Sequence, residues 1–108
     1  MIRFVVALVL LGGSICCGGA GEADAVSERG KTLATTLCAE CHAIGPSGQS
    51  PHAGAPAFRT LERRLNLDRL TGRLRRGLTS RHPDMPTFRF KRKDARALVA
   101  YLRSMQIP

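Results

Sequence analysis

Apolar residues in this chain fall in blocks with a helical period, separated by stretches dense in glycine and proline. The first block is a continuous run, Phe4 to Leu11, with Arg3 ahead of it. The second places Val26, Gly30, Leu33, Ala34 and Leu37 on one helix face, with Ser27 standing where an N-cap is expected. Phe58 to Arg64 reads as a short helix with Phe58, Leu61 and Leu65 on one side. Asn66 then caps another helix, whose stripe is Leu67, Leu70 and Leu74 and which stops at Gly77. The last helix runs from Arg92 to Met105, with Ala95, Leu98, Leu102 and Met105 in line and Tyr101 beside them. Its start carries Lys91, Arg92 and Lys93 where the helix dipole is already positive, and Asp94 compensates in part.

Two segments have no period and read as loops. Ala43 to Pro56 is rich in Gly, Pro and Ser. Thr79 to Phe88 cannot be helical, because Pro83 and Pro86 bracket Met85. A methionine held on such a stiff loop can offer its thioether to a metal with little loss of entropy.

The chemistry concentrates at Cys38-Ala39-Glu40-Cys41-His42. Two thiols at this spacing, with an imidazole directly after the second, form a covalent haem attachment site: each sulfur adds to one vinyl group, and His42 turns its ring to the iron. Two other readings compete for the thiols. A redox-active dithiol should follow a strand, whereas the residues before Cys38 carry a helical period. A structural zinc site needs four ligands, and His52 and His82 are the residues left to complete one.

From about Val26 to Gln106 the chain resembles a small class I c-type cytochrome, on the strength of the Cys-x-x-Cys-His motif and the Met85-Pro86 loop. The resemblance implies an all-α fold in which N- and C-terminal helices cross and three to five short helices wrap one covalently attached haem c. It implies that Gly30 meets Tyr101, with Leu98 alongside, at that crossing. It implies that Pro56 offers its carbonyl to the second nitrogen of His42, and that Met85 is the axial ligand opposite His42. Arg59 is a candidate contact for a haem propionate. Met105, on a helix stripe, reads as packing. His82 as ligand would give a bis-histidine centre of lower potential, and an open sixth position would mean peroxidase or gas-binding chemistry. His52 is expected to face water.

The opening run is far short of the roughly 20 residues that span a bilayer. With Ala23-Asp24-Ala25 behind it, it reads as a secretory signal peptide over residues 1–25, cut after Ala25 or Ala20, ahead of a cytochrome c domain over 26–108. Cys16 and Cys17 raise the question of lipidation, although Ile15 stands where a small residue is expected. Export to the periplasm is an oxidising address, where the Cys38 and Cys41 thiols must stay reduced until haem is added. The 83 residues that remain after a cut at Ala25 make a thin core, and a haem would act as its staple.

Lys and Arg number 17 against 8 Asp and Glu, a net charge of +9 that rises to +10 once residues 1–25 are removed. In an exported chain such basicity points to acidic redox partners, among them a dehydrogenase, reductase or oxidase, rather than to nucleic acid. Arg89, Lys91, Arg92 and Lys93 are the candidate docking patch. The expectation is a monomeric periplasmic one-electron carrier, not an enzyme. The competing readings are a haem peroxidase or gas sensor with an open distal site, and a docked subunit of a periplasmic dehydrogenase.

Overall fold

The computed structural model describes residues 12–13 and 19–108. Arg3, the apolar run Phe4 to Leu11, and Cys16 and Cys17 with their lipidation question lie outside the described residues. The elements in order are helix α1 (Gly19–Leu37), a 3-10 helix (Phe58–Arg63), α2 (Leu67–Arg76) and α3 (Arg92–Met105). Among the described residues the one β-type pairing outside a strand is an isolated antiparallel bridge between Leu78 and Phe88. The all-α class is as the sequence predicts.

Helix α1 begins earlier than the apolar stripe suggests. Ala20, Ala23 and Ala25 favour helix, Glu22 suits the positive end of its dipole, and no proline intervenes, so the helix is already formed at Gly19. Ser27 therefore lies inside the helix rather than capping it. Residues 19–26 are all exposed, and full burial begins only at Gly30 and Ala34. The apolar stripe thus marks where α1 packs, not where it starts.

Helices α1 and α3 cross at Gly30. A Cβ on that residue would lie 2.0 Å from the Ala97 carbonyl oxygen and 2.7 Å from Tyr101 Cβ. Only a residue with no side chain admits this approach. The crossing is fixed at its edge by Arg29, whose Nη2 and Nε reach Asp94 Oδ1 at 2.6 and 2.7 Å. That pair also explains how α3 tolerates a basic first turn, since no side chain caps it at Lys91.

Helix α2 is delimited as its sequence requires. The Asn66 side chain accepts a hydrogen bond from the Arg69 amide at 3.2 Å, and Gly77 ends the helix at a φ of +112°, which favours glycine. Its stripe of Leu67, Leu70 and Leu74 joins Phe58, Leu61, Ala95, Leu98, Val99, Tyr101 and Leu102 in one core. Each such leucine contributes about 1.5–3 kcal/mol on burial. Arg103 of α3 pairs with Asp68 of α2 at the surface. Met105 is half-buried against the core, a packing role.

Candidate functional site

The helical hydrogen-bond pattern of α1 runs on into the cysteine motif. The Cys38 amide donates to the Ala34 carbonyl at 2.9 Å, and the amides of Cys41 and His42 donate to the Cys38 carbonyl at 3.2 and 2.9 Å. One turn therefore carries both thiols and the imidazole, and all three face a single cavity. Cys38 and Cys41 are each half-buried and are not bridged to one another. Burial first, and the neighbouring Cys41 second, push the Cys38 thiol up to about 11. A thiol so reluctant to ionise is poorly suited to dithiol exchange, which needs the thiolate.

His42 is oriented by the loop that follows it. Its Nδ1 donates to the Pro56 carbonyl at 2.7 Å, and its ring tilts at 44° against Phe58 with centroids 5.1 Å apart. Because a carbonyl can only accept, the proton sits on Nδ1 and Nε2 keeps its lone pair for a metal. The loop is itself pinned: the Ala43 amide donates to Ser50 Oγ at 3.0 Å, the Phe58 amide to the Ala43 carbonyl at 2.9 Å, and Tyr101 Oη to the Ile44 carbonyl at 2.6 Å.

The segment with Met85 also reaches this cavity. Leu78 and Phe88 close its neck through two backbone bonds of 2.7 and 3.3 Å, and Phe90 ties it to α2 through the Leu74 carbonyl at 2.9 Å. Met85 is half-buried and lines the same cavity as the cysteine motif.

That cavity has a volume of about 760 Å3, and its apolar lining includes Leu61, Leu65, Leu70, Leu74, Leu98 and Leu102. It falls within the roughly 300–1,000 Å3 of cofactor sites in general. An apolar slot with two thiols, a nitrogen lone pair and a thioether on its wall fits a haem in size and donor set. Leu78, Phe88 and Phe90 also line it and were not singled out from the sequence. The alternation of apolar residues at 88 and 90, just after the proline-rich loop, was the one local signal for them.

Arg59 does not line this cavity. Its Nη1 is buried with no hydrogen-bond partner among the described residues, while its carbonyl accepts from the Ile107 amide at 2.9 Å. A buried guanidinium nitrogen without an acceptor is costly, and a carboxylate would satisfy it. The arginines that do line the cavity are Arg64, Arg73 and Arg81, all exposed. They come from three different segments, so no sequence spacing marks them. His52 differs from expectation, being half-buried at the cavity wall with Nε2 3.3 Å from Asp84 Oδ2. His82 lines the cavity as well, and its ring packs edge-on against His52.

Comparison with known proteins gives two matches. Residues 27–106 fit the cytochrome c family. Over 77 residues, 71% of this chain and 72% of the relative, the sequence is 31% identical to cytochrome c-552 of Bradyrhizobium diazoefficiens. No solved structure gives a significant match.

Proposed function

Since the chain belongs to the cytochrome c family and binds a covalently attached haem c, we propose that it is an exported one-electron carrier with histidine and methionine axial ligands. The haem supplies a one-electron ferric/ferrous couple when bound. Cys38 and Cys41 hold it by thioether bonds, His42 offers Nε2 and Met85 offers its sulfur. The observation that carries this reading is the His42 to Pro56 hydrogen bond of 2.7 Å, in a cavity that also includes Met85. It fixes which imidazole nitrogen is available and raises its basicity, while the thioether favours ferrous iron.

With both axial positions taken by side chains on pinned segments, no site is left for substrate. Arg59 stands outside the cavity lining, and its unpartnered Nη1 is our candidate for a haem carboxylate that reaches beyond that lining. Residues 1–25 act as the export signal in this reading, and the folded domain works in the periplasm. Among the described residues no helix is long and apolar enough to cross a membrane.

The visible spectrum tests the ligation. Ferric wild-type protein should show a thioether-to-iron charge-transfer band and ferrous protein should resist carbon monoxide. Met85→Ala should lose the band and bind carbon monoxide rapidly. A band that survives in Met85→Ala, or rapid carbon monoxide binding by the wild type, would refute Met85 as ligand.

A further inference from the structure

The segment that presents Met85 is closed on itself at its neck by the Leu78 to Phe88 bridge and tied to α2 by the Phe90 amide, which donates to the Leu74 carbonyl. A further hold lies at its tip and reaches the loop that follows the cysteine motif. There His52 Nε2 meets Asp84 Oδ2 at 3.3 Å. The His82 ring stands at 89° to the His52 ring, with centroids 5.3 Å apart. Gly54 leaves room for this contact, since a Cβ on it would come within 3.2 Å of His82 Nε2.

His52 is in turn anchored to the cysteine motif, its amide donating to the Cys41 carbonyl at 3.1 Å. A continuous set of contacts therefore leads from Cys41 through His52 to Asp84, the residue before Met85. The proton positions follow from the backbone. The Gly54 amide donates to His52 Nδ1 at 3.3 Å, so neutral His52 carries its proton on Nε2 and donates to Asp84. The Asp84 amide donates to His82 Nδ1 at 3.3 Å, so that nitrogen accepts and cannot also donate to the Asp84 carboxylate 4.0 Å away. Among the described residues His52 is thus the one side chain that hydrogen-bonds the Asp84 carboxylate.

We propose that His52 and Asp84 form a clasp that positions the Met85 loop, keeping the thioether in place against competing ligands and parking the His82 imidazole away from the metal. Both are positioning residues, since they act through Met85. The inference rests on Met85 being an axial ligand. It accounts for why a loop with both a histidine and a methionine on the cavity wall would commit to the methionine: the His82 ring is engaged by His52 and Gly54, whereas among the described residues no side-chain hydrogen bond holds Met85.

The test is an imidazole titration of ferric holoprotein, followed by loss of the thioether-to-iron band. His52→Ala and Asp84→Ala should each lower the half-saturating imidazole concentration about three- to tenfold, the effect of one lost hydrogen bond. The double variant should fall no further than either single one, because the two residues act as one contact. His52→Gln, which keeps an N–H near the Nε2 position, should return to the wild-type value. Arg29→Ala, which removes the ion pair with Asp94 at the α1–α3 crossing, away from both loops, should leave the titration unmoved. Unchanged titrations in the alanine variants, additive effects, or an equal shift in Arg29→Ala would overturn the clasp. If the wild type lacks the band, or Met85→Ala retains it, the ligation reading fails and the clasp with it. If the band depends on Met85 and only the titrations are unmoved, the clasp alone fails.

Discussion

A Cβ placed on Gly30 would stand 2.0 Å from the carbonyl oxygen of Ala97, so helices α1 and α3 touch backbone to backbone. The atom in the way belongs to the main chain and cannot rotate aside. Gly30→Ala would gain about 1 kcal/mol of helix propensity. It would also force the two helices apart, and overpacking of this kind costs about 1–3 kcal/mol or more. With a backbone oxygen at that distance the clash wins. We expect a net loss of about 1–2 kcal/mol, read as a lower Tm for the haem-loaded protein, with the haem spectrum retained in whatever remains folded.

Tyr101 links that crossing to the loop after the cysteine motif through its 2.6 Å bond to the Ile44 carbonyl. Burial first, and the Glu28 carboxylate second, raise its phenol above the ordinary value of 10.0. The folded chain therefore holds this proton more tightly than the unfolded chain. Its contribution to stability is complete below pH 10 and is lost as the pH rises through the folded value. Tyr101→Phe should cost about 1 kcal/mol at neutral pH. It should also flatten the decline in unfolding free energy above pH 10, which denaturant titrations at several pH values would measure. Tyr101 is the only tyrosine of the chain, so its ionisation can be assigned without ambiguity.

The parts of this architecture that were legible in the sequence are those set by local rules. Asn66 and Gly77 delimit α2 because a cap and a left-handed stop are one-residue events. The Cys38 to His42 motif was legible because its spacing is itself the chemistry. The α1 start was misplaced at Ser27 because an exposed, alanine-rich helix carries no apolar stripe. The His52 to Asp84 contact spans 32 positions, and nothing near either residue signals it. The same holds for Arg64 and Arg73, which line one cavity although they stand on different segments.

Export processing at Ala25 would leave the crossing intact. Residues 19–26 are exposed along α1, and the buried Gly30 and Ala34 both lie beyond the cut. The haem-loaded domain that begins at Val26 should therefore unfold within a few tenths of a kcal/mol of the longer chain, the scale of exposed positions that pack on nothing. Mass spectrometry of protein exported to the periplasm should give Val26 as the first residue. A cut after Ala20 would place it at Gly21.

Loss of the covalent anchor should be far more damaging. The cysteine motif and the Met85 loop both line a cavity of about 760 Å3. Without the haem its apolar wall has nothing to pack against but water, and a domain of this size has little other core to offset that loss. A Cys38→Ser, Cys41→Ser double variant should accordingly lose its cooperative thermal transition and most of its helical circular dichroism. Added haem should restore part of both through His42 and Met85, whereas retention of the native transition without haem would show that the helices carry the fold alone.

The basic residues that matter for docking should be those at the mouth of the cavity. Arg89 is occupied, donating to the Arg76 carbonyl at 3.2 Å, and Lys91, Arg92 and Lys93 are exposed but do not line the cavity. Arg64, Arg73 and Arg81 do, and all three are exposed without an ion-pair partner among the described residues. Steering by exposed charge acts on the association rate and is screened beyond about 10 Å at 0.1 M salt. Charges nearest the point of transfer should therefore act most strongly. Arg73→Glu and Arg81→Glu should each slow association with an acidic redox partner about threefold or more at low ionic strength, and should reduce the salt dependence of that rate. The Lys91→Glu, Lys93→Glu pair should have a smaller effect. Stopped-flow kinetics over a range of salt concentrations separates the two cases, and a larger effect at Lys91 and Lys93 would move the docking face to the start of α3.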